Sequence, residues 1–371
     1  MKREFVHFVG DRGAAFPLNY SCLPVGAVPT PLTTLKGIKM NDERPTLERI
    51  MQVSSGGWAL AILAAATRNS VFTHVEAGAD TVEALAKKAG ISARGAGTLL
   101  DGLVGLGFLT LSAGRYRNAP DAAEFLVEGK PSYFGGFPKV QLAEFPELVA
   151  LPEVARTGRP ETTDTTDVPE SPFWEELVPA IAVLSVPVAM AAAERLELAR
   201  AGPISIFDVG GGSGIYSALW LGINPKARST QFDWANVNRI AKDFVGRRGV
   251  GDRFRTVDGD FHKADFGTAE HDVAVYSHIA HQESPSENIA TFRRIKKALK
   301  PGGTFVISDF VVDDDRSGPP FPLIFRSVML LRTKEGQTWR RADYEAWLRE
   351  AGFSKVSIEP TGTPATLVYA S

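Results

Sequence analysis

The 371-residue chain is short of cysteine, of any excess of one charge, and of long apolar runs. Cys22 is the only cysteine, so an internal disulfide and a cysteine-built zinc site are both excluded, which fits a reducing cytoplasm. The 41 Lys and Arg nearly cancel the 43 Asp and Glu, leaving a net charge of −2. That balance argues against a life on nucleic acid or on an anionic membrane. No uninterrupted apolar run reaches the length of a span, so no membrane crossing is expected. Leu177–Ala193, the most apolar stretch, carries Pro179 and Pro187 and reads as a core helix. Met1–Lys39 has no apolar signal-peptide region and reads as an arm or extended start.

What is present is an ordinary globular balance, 44% apolar and 23% charged, at a length that suits two or three domains. The pattern divides residues 1–39 as the arm, 40–160 as a helical unit, 161–202 as a linker and helix beside the substrate, and 203–371 as a strand–helix unit. In the helical unit, Asp80-Thr81-Val82-Glu83 has the form of a capping box that opens a helix Thr81–Ala89. Ser92–Leu106 follows with Leu99, Leu100, Leu103 and Leu106 spaced for one face. Phe108–Leu111 and Tyr116–Asn118 then form a short hairpin, which completes a winged-helix pattern.

From Pro203 the period changes to alternating strands and helices, which implies a parallel, doubly wound sheet with a final hairpin at Lys355–Glu359 and Ala365–Ala370. Its first strand runs into Asp208-Val209-Gly210-Gly211-Gly212-Ser213-Gly214, and a helix opens directly after. Glycines there permit a tight turn and close approach of a ligand to the backbone. Asp233, at the end of the next strand, has the spacing of a ribose-binding carboxylate. Gly210, Gly212 and Gly214 do not complete the dinucleotide pattern, and no Gly-Lys-Ser/Thr phosphate loop occurs. With Asp208 just ahead of it, the loop suits a ligand with a cationic amino-acid end, such as S-adenosylmethionine. Asp260 and Phe261 follow the third strand, placed to bond the adenine amino group and to stack on its ring.

These motifs, with Leu299-Lys300-Pro301-Gly302-Gly303, resemble the S-adenosylmethionine-dependent O-methyltransferases of the plant caffeate and bacterial polyketide type. The resemblance covers about Thr46–Ser371. It implies a Rossmann-like class I methyltransferase domain behind an all-α, winged-helix dimerisation domain, a homodimer, and S-adenosylmethionine as cofactor without metal. That family's base is a histidine after the fourth strand. Counting back from Pro301-Gly302-Gly303 places His281 on it, within Ser277-His278-Ile279-Ala280-His281-Gln282-Glu283. Ser277 and His278 fall beside the cofactor, His278 where a basic residue is often found. Asp309 matches the base's acidic partner. Gln282-Glu283 departs from the family's Asp-Trp. A neutral imidazole suits proton removal from a phenol, and a carboxylate orients it.

Phe173, Trp174, Met190, Phe325 and Met329 are the candidate lining for a flat, small-molecule acceptor, although ordinary packing is the better reading of any single one of them. Two other readings stay open. Some relatives bind S-adenosylmethionine yet catalyse hydroxylation, decarboxylation or C-methylation. A winged helix can also read DNA, but residues 92–106 offer Arg94 and Asp101 amid Ala, Gly and Leu, poor material for base contacts. The apolar first helix (Ile50, Met51, Val53, Trp58, Leu60, Ile62, Leu63) is instead suited to a partner subunit.

Overall fold

A computed structural model describes residues 46–160 and 170–371. The proposed arm 1–39, Cys22 and most of the loop between the two halves lie outside the described residues. The first half begins with α1 (Glu48–Ser54), α2 (Gly56–Arg68), α3 (Val71–Glu76), α4 (Val82–Ala89) and α5 (Ala93–Gly105). A hairpin of β1 (Leu109–Ser112) and β2 (Arg115–Asn118) follows as the wing, in antiparallel register. Next come α6 (Pro120–Phe125), α7 (Gly136–Leu148) and α8 (Leu151–Thr157). Phe72, Leu85, Leu100, Leu103 and Leu109 close a core under the wing. Leu106, expected on the same face, stands just past the helix end and is exposed.

The α4 cap differs from the expected box. Thr81 is the N-cap, its hydroxyl accepting from Ala84 N–H, while Asp80 is taken by Arg115 at 2.7 Å across the wing. Gly90 ends α4 in the left-handed region, at φ 67°. On α1 and α2, Ile50, Met51, Val53 and Trp58 are 63–75% exposed, an apolar face that none of the described residues covers.

The second half opens with α9 (Pro172–Ile181) and α10 (Val186–Arg195), joined through a 3-10 turn. Contrary to the sequence expectation, this helical stretch is long and apolar enough by composition to cross a membrane. Its Val188, Ala189 and Ala192 are buried in the core of the sheet domain, while Glu175, Glu176 and Glu194 are exposed, so it is laid out as a bridging core helix. The sheet domain then runs β3 (Ser205–Val209), α11 (Ile215–Ile223), β4 (Arg228–Asp233), α12 (Ala235–Arg247), β5 (Phe254–Asp258), β6 (His271–Ser277), α13 (Pro285–Ala298), β7 (Leu299–Asp309), α14 (Pro320–Arg332), α15 (Arg341–Glu350), β8 (Val356–Pro360) and β9 (Thr366–Ala370).

The seven-stranded order is β5-β4-β3-β6-β7-β9-β8; the first five strands are parallel, β9 runs antiparallel to β7, and β8, antiparallel to β9, returns to the common direction. Helices cover both faces, and each face has its own buried cluster. The order reverses between β3 and β6, so the carboxyl ends of β3, β4, β6 and β7 converge at the crevice where such sheets bind ligands. Pro301-Gly302-Gly303 lies inside β7 rather than before it, where the register against β6 shifts; α13 has already stopped at Ala298.

Arg332, at the end of α14, joins the two halves. Its guanidinium meets both oxygens of Glu144 at 3.1 Å and Glu147 at 3.1 Å on α7, largely out of water. Removing one partner of a buried pair strands the other charge. Arg332→Ala is therefore expected to cost about 3–5 kcal/mol, seen as a lower urea midpoint. A midpoint equal to the parent's rejects this clamp.

Candidate functional site

The glycine turn after β3 is packed from behind. Gly210, Gly212 and Gly214 have φ of 64°, 57° and 72°, in the region that L side chains rarely adopt. Gly211 is barred to larger residues by space: a Cβ there would stand 2.6 Å from Gln231 Oε1 and 2.7 Å from Asp208 Cγ. Gln231 Nε2 donates to Gly212 O (3.1 Å) and to Asn238 Oδ1 (3.1 Å). Asn238 Nδ2 in turn donates to Asp233 O (3.0 Å) and to Asp258 Oδ1 (2.7 Å), which ties the ends of β4 and β5 together. Sequence reasoning missed Gln231 and Asn238. The one available signal was that Gln231 shares the strand face of Asp233, two residues on.

Two carboxylates flank this turn. Asp208 is fully buried; its Oδ2 accepts from Ser217 Oγ (3.1 Å), while Oδ1 has no hydrogen-bond partner among the described residues. Asp233 Oδ2 accepts from Gly212 N–H (2.9 Å) and Oδ1 from Trp234 N–H (2.7 Å). Burial pushes both carboxyls up to about 7, outweighing those hydrogen bonds. A cation or hydroxyl donors placed against them would relieve this. The pinched glycine backbone, the unpartnered Asp208 oxygen and the acid closing β4 together fit the amino-acid end and ribose of S-adenosylmethionine.

Asp260 and Phe261 lie on the turn after β5. Asp260 is not open as expected, because His262 and Lys263 already engage it. Phe261 stacks on His262, with ring centres 4.2 Å apart.

On the other side of the crevice, His281 sits on a single 3-10 turn after β6, and Asp309 ends β7. Ser277 pairs with Ser308 in the sheet, so these two loops leave adjacent strands side by side. His281 Nδ1 is 2.5 Å from Asp309 Oδ1. Asp309 Oδ2 also accepts from Tyr344 O–H (2.9 Å) and from His281 N–H (3.0 Å). Burial would raise the Asp309 carboxyl, but the His281 charge and hydrogen bond outweigh it and hold it low, hence ionised. An acceptor on Nδ1 leaves His281 Nε2 for a substrate proton. The turn is braced by Trp339 Nε1–H and Asn288 Nδ2–H, both donating to Ala280 O at 2.9 Å. Tyr344, Trp339 and Asn288 carry no linear signal for this role.

His278 has φ 57°, and its Nδ1 is buried without a hydrogen-bond partner among the described residues. Burial pushes it down to about 4, so the residue is neutral. Of the proposed acceptor lining, Phe325 meets His281 edge-on at 5.2 Å. Phe310 and Phe321, unforeseen, complete an aromatic wall with it. Phe173 and Trp174 pack edge-to-face on α9, with the Arg332 guanidinium 5.4 Å above the Phe173 ring. Met329 is buried on α14, and Met190 packs into the sheet core.

The resemblance implies no metal, yet among the described residues two groups have metal-like spacing: His278, His281 and Asp309, and His262, Glu283 and Glu287. In each, an imidazole nitrogen is already hydrogen-bonded to a carboxylate of the group.

A doubly wound sheet with this glycine turn and acidic second strand, behind a wing-bearing helical unit, defines a class I S-adenosylmethionine-dependent methyltransferase. The models of the O-methyltransferase domain and of the O-methyltransferase dimerisation domain match residues 182–354 and 51–128. A 3-hydroxy-5-methyl-1-naphthoate 3-O-methyltransferase of Streptomyces sahachiroi is 33% identical over 332 residues, 86% of this chain and 92% of that protein. The tetracenomycin polyketide synthesis 8-O-methyl transferase TcmO of Streptomyces glaucescens is 29% identical, over 86% and 94%. The solved human N-acetylserotonin methyltransferase, in complex with S-adenosylmethionine, shares the fold at TM-score 0.76 and 23% identity, over 89% of this chain and 99% of that one. The chain belongs to the O-methyltransferase family and is an S-adenosylmethionine-dependent O-methyltransferase.

Proposed function

We propose that the protein methylates a hydroxyl of a small aromatic, polyketide-type acceptor, with His281 as general base. The observation that carries this reading is the buried Tyr344–Asp309–His281 chain, which leaves Nε2 beside the aromatic wall of Phe310 and Phe325. Asp208, the Gly210–Gly214 turn and Asp233 would hold the cofactor's amino-acid end and ribose. Ser277 and His278 border it at the end of β6, and Asp260 and Phe261 would meet its adenine. S-adenosylmethionine supplies an electrophilic methyl group on sulfonium and leaves as S-adenosylhomocysteine.

His281 Nε2 takes the acceptor's O–H proton as the oxygen closes on the methyl carbon. Asp309, ionised, fixes the ring and stabilises the imidazolium that results. Phe325 and Phe310 exclude water and seat a planar acceptor, so much of the rate comes from position. The naphthoate and tetracenomycin relatives support the acceptor class. We read the uncovered face of α1 and α2 as the seat of a second copy, which makes the enzyme a homodimer.

The test is incubation with methyl-labelled cofactor and a panel of hydroxynaphthoates and naphthols. Labelled methyl ether and S-adenosylhomocysteine in equal amounts are expected. Label on carbon, or cofactor binding with no turnover across the panel, overturns the reading and favours the C-methylating or non-methylating relatives.

A further inference from the structure

A second polar chain runs along the same edge of the sheet, apart from the chemistry at His281. Asp260 Oδ1 accepts from the His262 backbone N–H at 3.0 Å and faces His262 Nδ1 at 2.8 Å; Lys263 Nζ lies 2.9 Å from Oδ2. The other ring nitrogen, Nε2, is 3.0 Å from Glu283 Oε2. Glu283 is only 6% exposed and lies on a different loop, two residues after His281. It occupies a position where the family pattern has Trp, so this carboxylate departs from that pattern.

An imidazole between two carboxylates donates to both only when doubly protonated. The Glu283 hydrogen bond, against the opposing effect of burial, pushes His262 up to about 9. The other charged groups around it are Asp260, Lys263 and Glu287, the last bonded to Ser284 by its capping box. Arg294 braces the same turn from α13, donating to Phe261 O (2.5 Å) and Ala264 O (3.1 Å). The His262 ring also stacks on Phe261, which meets Tyr276 nearly at right angles on another side.

We propose that Glu283 is a positioning residue for the cofactor's adenine: it grips His262, and His262 sets the Asp260 carboxylate and the Phe261 ring. This rests on the reading of Asp260 and Phe261 as the adenine contacts. A carboxylate offers about four lone-pair sites. Among the described residues, the contacts to Asp260 use two sites on Oδ1 and one on Oδ2, which leaves Oδ2 a site for the adenine amino group. Glu283, as a buried carboxylate, is held by the His262 cation, since the alternative is an uncompensated charge out of water. The adenine turn is thereby tied to the loop that carries the base.

The experiment is titration calorimetry of the full chain with S-adenosylhomocysteine and with S-inosylhomocysteine, which has an oxo group in place of the adenine amino group. The parent is expected to prefer S-adenosylhomocysteine by about tenfold or more, the value of a charge-assisted hydrogen bond. Glu283→Gln, which keeps size and neutralises the buried charge, is expected to weaken S-adenosylhomocysteine about tenfold and reduce the preference below about threefold. His262→Phe keeps the stack and gives the same loss. The parent's preference should fall as pH rises through about 9 and His262 loses its proton, and that limb should be absent in His262→Phe. Two variants that keep the parental preference and its pH limb overturn the proposal. A parent that binds S-adenosylhomocysteine without distinguishing the inosyl analogue removes the adenine contact instead, and a parent that binds neither removes the cofactor reading itself.

Discussion

His281→Ala is expected to lower kcat by about two to four orders of magnitude, the usual contribution of a positioned general base, with affinity for S-adenosylhomocysteine changed by less than about twofold. The loss falls on kcat because the ring's attachments are to Asp309 and to the wall of Phe310 and Phe325, not to the glycine turn. Its removal leaves Asp309 with Tyr344 O–H and the backbone N–H groups of His281 and Phe310 as donors, so the strand end stays organised. The vacated space lies between aromatic rings, and added imidazole should restore part of the rate. Steady-state and single-turnover rates, beside calorimetry, separate the effects. An unchanged rate removes His281 from the role of base, and a parallel collapse of cofactor affinity assigns it to folding of the loop.

How far the sequence carried the site depends on how local each determinant is. Asp208, the glycines and Asp233 were readable because one strand–turn–helix and the next strand end contain them. The α13 cap was readable for the same reason: Ser284 and Glu287 make the capping box within one turn. Asp80 misled because its partner Arg115 is 35 residues away, which left the cap to Thr81. Tyr344 reaches Asp309 across a separation of the same size, and His262 meets Glu283 only because β5 and β6 leave the sheet on the same edge. The helix α7 was obscured by Pro138 and Pro146, yet Pro138 lies in its first turn, where a missing N–H costs nothing. The helix α14 likewise carries its prolines, at 320 and 322, within its first turn. Pairings set by topology leave little trace in a single sequence, and those are the contacts that orient His281 and the turn of Asp260 and Phe261.

Asp233→Asn is expected to weaken S-adenosylhomocysteine by about a hundredfold. Both carboxylate oxygens already accept from the backbone, Oδ2 from Gly212 N–H and Oδ1 from Trp234 N–H. An asparagine must turn its amide NH2 toward one of them, donor against donor, and also loses the charge that strengthens bonds to ribose hydroxyls. Two such bonds weakened by about 1.5 kcal/mol each amount to the factor stated. The same carboxyl gives the parent a pH signature. Burial pushes Asp233 up to about 7 in the free protein, and ribose hydroxyls favour its ionised form. Binding therefore lowers that pKa and releases protons near pH 7, and affinity falls as pH drops through about 7. Asp208, pushed up to about 7 by its own burial, adds to this when it meets the cofactor's ammonium, so Asp233→Asn should diminish the proton release without abolishing it. Calorimetry in two buffers of different ionisation heat counts those protons directly. A parent that binds with no proton exchange between pH 6 and 8 shows that neither buried acid faces the ligand, and the cofactor would then lie elsewhere along the sheet edge.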